Sequence, residues 1–118
     1  SLSRLMKDGI GEGYTREDHS MVANQLFAAY ARVADARALA SVIGEEELSS
    51  IDKAFIKFGV MFEKYFINQS FFENRTIEET LDLGWDLLSM LPESELDRVD
   101  EEHLKAHYNP ENAKRFVQ

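Results

Sequence analysis

Arg4 and Lys7 stand among three glycines, Gly9, Gly11 and Gly13, in a run without helical period that leads straight into a well-capped helix. Arg4 carries the side chain with the most chemistry in the chain, a planar and permanently charged fork. The run has no initiating Met and no charged-then-apolar signal pattern, and it reads as the interior of a larger protein. Other reactive side chains form weaker constellations. His103 and His107 are four residues apart, so a helix puts both imidazoles on one face near Glu101 and Glu102. The order EEHLKAH is not HExxH and lacks a third firm ligand, which favours surface histidines over a metal site. Glu78 and Glu79 are adjacent and point about 100° apart on a helix, so they cannot share a proton. The absence of Cys removes disulfides, thiol catalysis and every thiolate metal site.

The elements that must position these groups follow from the periodicity. Thr15 is expected as an N-cap with Asp18 at N3, while His19 beside that cap belongs to local structure. Val22, Leu26, Phe27, Tyr30 and Val33 or Ala34 then make an apolar stripe at three- and four-residue steps. Ala36 to Ile43 continues the pattern to Gly44, a C-terminal stop, and the expected form is helix, bend, helix. Ser49 with Asp52 repeats the capping pattern ahead of Ile51, Phe55, Phe58, Phe62 and Phe66, a ladder of rings that reads as core rather than as a cofactor pocket. Phe71 and Phe72 fall in a connection, where one ring is expected to pack on a neighbouring domain. Thr76 with Glu79 is a capping box opening a helix through Ile77, Leu81, Gly84 or Trp85, Leu88 and Leu91, ended by Pro92. Ser94 to Val99 and Glu101 to Tyr108 are expected as short helices, followed after Asn109-Pro110 by a polar tail. A period-2 strand is conceivable only at Leu2 to Met6.

The fold class is therefore all-α, a small orthogonal bundle of about five or six helices preceded by an irregular Gly-rich segment. At 118 residues one domain is expected, irregular over 1–14 and helical over 15–118. With 22 acidic against 13 basic residues the net charge is -9, and no basic stripe is visible, which disfavours nucleic acid. No apolar run reaches the roughly 20 residues a bilayer crossing needs. The sequons at Asn68 and Asn74 come with no other sign of secretion.

SLSRLMKDGIGEG, TREDH, NQLFAAYA, IGEEELS, FINQ and above all ENRTIEETLDLGWDLLSMLP are long and compositionally unusual. On these stretches the chain resembles the C-terminal helical domain of the non-catalytic B subunit of V-type and archaeal A-type rotary ATP synthases. The resemblance implies a subunit that alternates with catalytic A subunits in a hexameric ring around a central stalk. In that ring ATP or ADP and Mg²⁺ bind at subunit interfaces, and no cofactor belongs to this piece. It implies that residues 1–14 are left from the junction with a nucleotide-binding domain. Arg4 is similar to an arginine finger offered in trans to the nucleotide on the neighbouring A subunit, where such a fork is worth about 10³ to 10⁵ in rate in other NTPases. Glu45, Glu46, Glu47, Leu48, Ser49 and Asp52 resemble the acidic loop by which ring subunits face the rotor, although Ser50 and Ile51 replace two acids. The implied location is the cytoplasm, at the membrane through the complex, with no ATP hydrolysis by this piece alone. Surfaces that met missing neighbours should be partly apolar. The alternative from composition alone is a stand-alone acidic helical module for protein interaction.

Overall fold

The computed structural model describes residues 16–68 and 75–116. Arg4, Lys7, the three lead glycines, Thr15, Phe71 and Phe72 lie outside the described residues, as does the strand considered at Leu2 to Met6. Among the described residues there are four α-helices and no strand: α1 His19–Ile43, α2 Ser50–Phe62, α3 Ile77–Leu88 and α4 Glu101–His107. Shorter elements join them, 3₁₀ turns at Glu45–Glu47 and Glu93–Glu95, a π-helical turn at Glu63–Asn68 and a 3₁₀ helix at Pro110–Phe116. The all-α expectation holds.

The expected bend in the first helix is absent; α1 runs unbroken for 25 residues. Its middle, ADARALA, contains strong helix formers and no breaker, so nothing interrupts the hydrogen bonding. What changes along α1 is its surroundings. Val22, Leu26, Ala29, Val33 and Ala36 are buried, but beyond Ala36 the helix outruns the core and leaves Leu39, Val42 and Ile43 exposed. Gly44, at φ 90°, then stops it while its N–H reaches the Ala40 carbonyl.

α1 packs chiefly on α2, closely enough that a Cβ added to Gly59 would meet Val33 Cγ1 at 2.4 Å. Phe58, Phe62 and Phe66 form a column, with centroids 5.7 and 5.2 Å apart at interplanar angles of 21° and 14°. Four-residue steps overshoot the α-helical period by about 40° each. The wider turn at Glu63–Asn68 absorbs that drift, and Phe66 stays buried.

The Thr76–Glu79 capping box is present in both halves, Glu79 N–H to Thr76 Oγ1 at 3.1 Å and Thr76 N–H to Glu79 Oε1 at 3.0 Å. α3 ends at Leu88, four residues before Pro92 and not at it. Met90 and Leu91 donate to Leu87 and Leu88 in 3₁₀ fashion, which turns Leu91 into the core. Of the expected Ser94–Val99 helix only Ser94 and Glu95 are helical, in the 3₁₀ turn Glu93–Glu95, because the buried Gln25 side-chain Oε1 accepts the Arg98 N–H at 2.6 Å while Leu96 and Val99 drop into the core. The expected polar tail is a 3₁₀ helix whose Ala113 and Phe116 are buried, with Phe116 edge-on to Tyr65 at 5.4 Å.

Candidate functional site

The acidic turn is the one sequence-predicted site among the described residues, and both of its ends are held. Gly44 fixes the exit from α1, and Ser49 Oγ accepts the Asp52 N–H at 3.1 Å to open α2. Between them Glu45, Glu46 and Glu47 are exposed on a 3₁₀ turn, and Leu48 is buried as its anchor. Asp52 is buried too, and its carboxylate accepts from Arg32, whose guanidinium lies over the Phe55 ring. The six residues therefore divide. Glu45 to Glu47 point to solvent, Ser49 caps, and Leu48 and Asp52 serve the interior. Beside the glutamates stand Leu39 at 42%, Val42 at 81% and Ile43 at 44% exposure. The tip is thus three carboxylates next to three aliphatic side chains, a mixed surface suited to a protein partner with basic and apolar groups.

A second polar centre escaped the sequence reading. Asp18 is 2% exposed, and although it occupies the N-cap position of α1 its side chain makes no capping bond. Its carboxylate instead accepts from Arg16 Nε at 3.0 Å, Arg16 Nη2 at 2.7 Å and Trp85 Nε1 at 2.7 Å. Burial, the largest influence, pushes the Asp18 carboxyl up, but the bonds from Arg16 and Trp85 together hold it below the usual carboxylate range. Arg16 also donates to Asp82 at 2.5 Å, so this one guanidinium ties the start of the helical array to α3. His107 stacks on Trp85 at 5.2 Å, with Nε2 3.9 Å from Asp18, and His103 stacks on His107 at 6.2 Å. His103 Nδ1 sits 2.7 Å from Asp100, which raises its pKa. The histidines do share a face, as their spacing requires, but they belong to an aromatic stack against the only Trp rather than to open surface. The signal in the sequence was the Arg-x-Asp pair inside TREDH together with a lone indole needing an acceptor.

A third cluster sits where α2 widens. Glu63 takes Arg37 in both arms of its fork, at 2.8 and 2.9 Å, and the Tyr30 hydroxyl at 2.6 Å. Arg37 first and Tyr30 second hold the Glu63 carboxyl down at about 2. Arg32 and Phe55, from the Asp52 cluster, line a cavity of about 200 Å³ together with Gln25, Glu95, Asp97 and Arg98. Among the described residues no three His, Cys, Asp or Glu side chains are placed together to hold a metal ion. Nor, among them, is any helix long and apolar enough to cross a membrane.

Such an array is a small helical domain with internally paired charges and an exposed acidic and apolar tip. Its relatives narrow the class. The family model described as the C-terminal domain of V and A type ATP synthase matches residues 8–108, and the chain belongs to that family. It is 63% identical over 108 residues, 92% of its length, to the V-type ATP synthase beta chain of Thermotoga neapolitana, covering 24% of that protein. It is equally similar, at 63%, to the beta chain of Halothermothrix orenii, and 56% identical to the B subunit of the A-type ATP synthase of Saccharolobus islandicus. The chain spans about a quarter of the length of these curated relatives.

Proposed function

We propose that this chain is the helical base of the non-catalytic B subunit of an ion-translocating rotary ATP synthase, in which it does three things. It stabilises the ring by packing beside catalytic A subunits, it offers Arg4 across the interface to the nucleotide of the adjacent A subunit, and it turns the Glu45–Glu47 tip toward the central stalk. The complex associates with the membrane through other subunits, and the domain itself stays in the cytoplasm. The observation that carries the reading is the family match over residues 8–108, joined to relatives of the B or beta type at 56 to 63% identity.

The physics of each role is consistent with the residues. A guanidinium can spread two donors over the equatorial oxygens of a transferring phosphoryl, which an ammonium cannot match. In the whole complex the chemistry is supplied by nucleotide and Mg²⁺ on the A subunit, and this chain's share is one charge in the right place. Arg4→Lys in the intact complex is expected to lower steady-state ATP turnover at least a hundredfold with assembly unchanged. Turnover within twofold of wild type in a normally assembled ring removes the finger role.

A further inference from the structure

The chain is acidic, yet its basic residues are not spent evenly. Arg16, Arg32, Arg37, Arg98, Lys105, Lys114 and Arg115 each have a carboxylate partner. Among the described residues Lys53, Lys57 and Lys64 make no ion pair, although the sequence holds 22 acids. All three belong to the α2 segment and its π-helical extension, and all three are exposed. With Val60, 48% exposed, they follow one another at steps of four, three and four residues. Those steps put them on one face, a ridge about 16 Å long. A groove of about 340 Å³, lined by Ser50, Lys53, Ala54, Lys57 and Met90, runs beside the first two lysines. The core period of the phenylalanines hid this stripe in the sequence, because the lysines occupy the opposite face of the same helix.

We propose that this face of α2 docks an acidic amphipathic helix of a different polypeptide chain, whose carboxylates meet Lys53, Lys57 and Lys64 and whose apolar side chains cover Val60 and enter the groove over Ala54 and Met90. Charge complementarity argues for that occupant. In a molecule of net charge -9 with this many carboxylates, three cations in a row without an internal carboxylate partner are a local inversion of the field. Exposed ion pairs contribute little singly, so the apolar groove supplies affinity while the lysines supply register. Two copies of a chain at -9 repel each other, which argues against self-association. Three cations are too few for a nucleic acid or an anionic bilayer to overcome the same repulsion. The inference rests on the ring-subunit reading only for where the partner is found.

The test is zero-length carbodiimide coupling on the intact complex, followed by peptide mass spectrometry, with lysine acetylation of the complex and of the isolated chain in parallel. The expected result is links from Lys53, Lys57 or Lys64 to Asp or Glu of another chain, with acetylation of these lysines at least fivefold slower in the complex. Lys53→Glu/Lys57→Glu/Lys64→Glu should raise the concentration for half-maximal assembly at least tenfold, while Lys105→Glu, the same charge change on α4, leaves it unchanged. Links only to a second copy of this chain overturn the proposal. So does equal acetylation in both states, and so does retention of the wild-type chain, but not the triple variant, on anionic phosphatidylserine vesicles without coupling to protein. A chain found inside a ring with freely acetylated lysines sinks this inference alone. Lysines coupled to an acidic helix outside any ring sink the ring reading alone.

Discussion

At the scale of single residues, the buried carboxylate of Asp18 decides more than its position at a helix start suggests. It satisfies the indole of Trp85 and neutralises Arg16, and removing it strands the indole N–H and leaves Arg16 with Asp82. Asp18→Ala is expected to destabilise the chain by about 2 to 3 kcal/mol, read as a lower urea midpoint; a change below about 0.5 kcal/mol would contradict the contacts described. Glu63 gives a pH signature. Its folded pKa, about 2, lies below the ordinary 4.5, so the group contributes stability that is complete above about 4.5 and lost as pH falls toward 2. Because Arg37 is partly open to water, the contribution is modest. Unfolding midpoints of wild type should therefore fall more between pH 5 and pH 3 than those of Glu63→Gln, and parallel curves would refute the assignment.

At the scale of elements, close approach of α1 and α2 depends on Gly59. Its Cβ position already holds Val33 Cγ1 at 2.4 Å and Arg37 Nη2 at 3.1 Å. Gly59→Ala is expected to cost about 1 to 3 kcal/mol, despite the better helix propensity of Ala, and Val33→Ala in the same chain should recover part of that loss. A stabilised Gly59→Ala protein would show that the helices are not in contact there. How far these elements could be read in advance depended on whether a local rule governed them. Thr76 with Glu79, Ser49 with Asp52 and Gly44 are short-range hydrogen-bonding or backbone devices, and each stands where its pattern put it. The ring ladder likewise follows from period alone. Where a distant group decides, the sequence was opaque: Gln25 capturing the Arg98 amide prevents a helix, and Phe116 packs on Tyr65 from a segment rich in polar residues. The supposed bend in α1 failed for another reason. An apolar stripe that stops being buried is not a helix that stops, and Leu39, Val42 and Ile43 are the overhang. Of the candidate site, the exposed glutamates were legible, whereas the inward duties of Leu48 and Asp52 required the packed structure.

At the scale of the whole molecule, the acids fall into two populations. Asp18, Asp52 and Glu63 are engaged with named partners inside the array, while Glu45, Glu46 and Glu47 are gathered at the exposed end of the longest helix. Folding uses the first set and leaves the second free for contact. Replacing Glu45, Glu46 and Glu47 with Ala is thus expected to shift the unfolding free energy by no more than about 0.5 kcal/mol. Under the proposed role at the central stalk, the same replacement should loosen the coupling between ATP turnover and ion movement in the intact complex. Unaltered coupling would leave the tip with a purely local task. The net charge of -9 adds a prediction in salt: raising ionic strength should weaken any contact made by the three α2 lysines more than one made by Leu39, Val42 and Ile43, since screening acts on charge and not on apolar burial.

Trp85 is the chain's single indole, its N–H is bonded to the residue that begins the helical array, and its face lies against His107. The molecule therefore carries a built-in optical reporter at the joint where Arg16 and Asp18 fasten the start of α1 to α3. Undocking of that joint exposes the ring to water and moves its emission to the red, while the Phe column beneath, blind at that excitation wavelength, stays silent. Loosening of this joint can thus be followed in real time without attaching a dye.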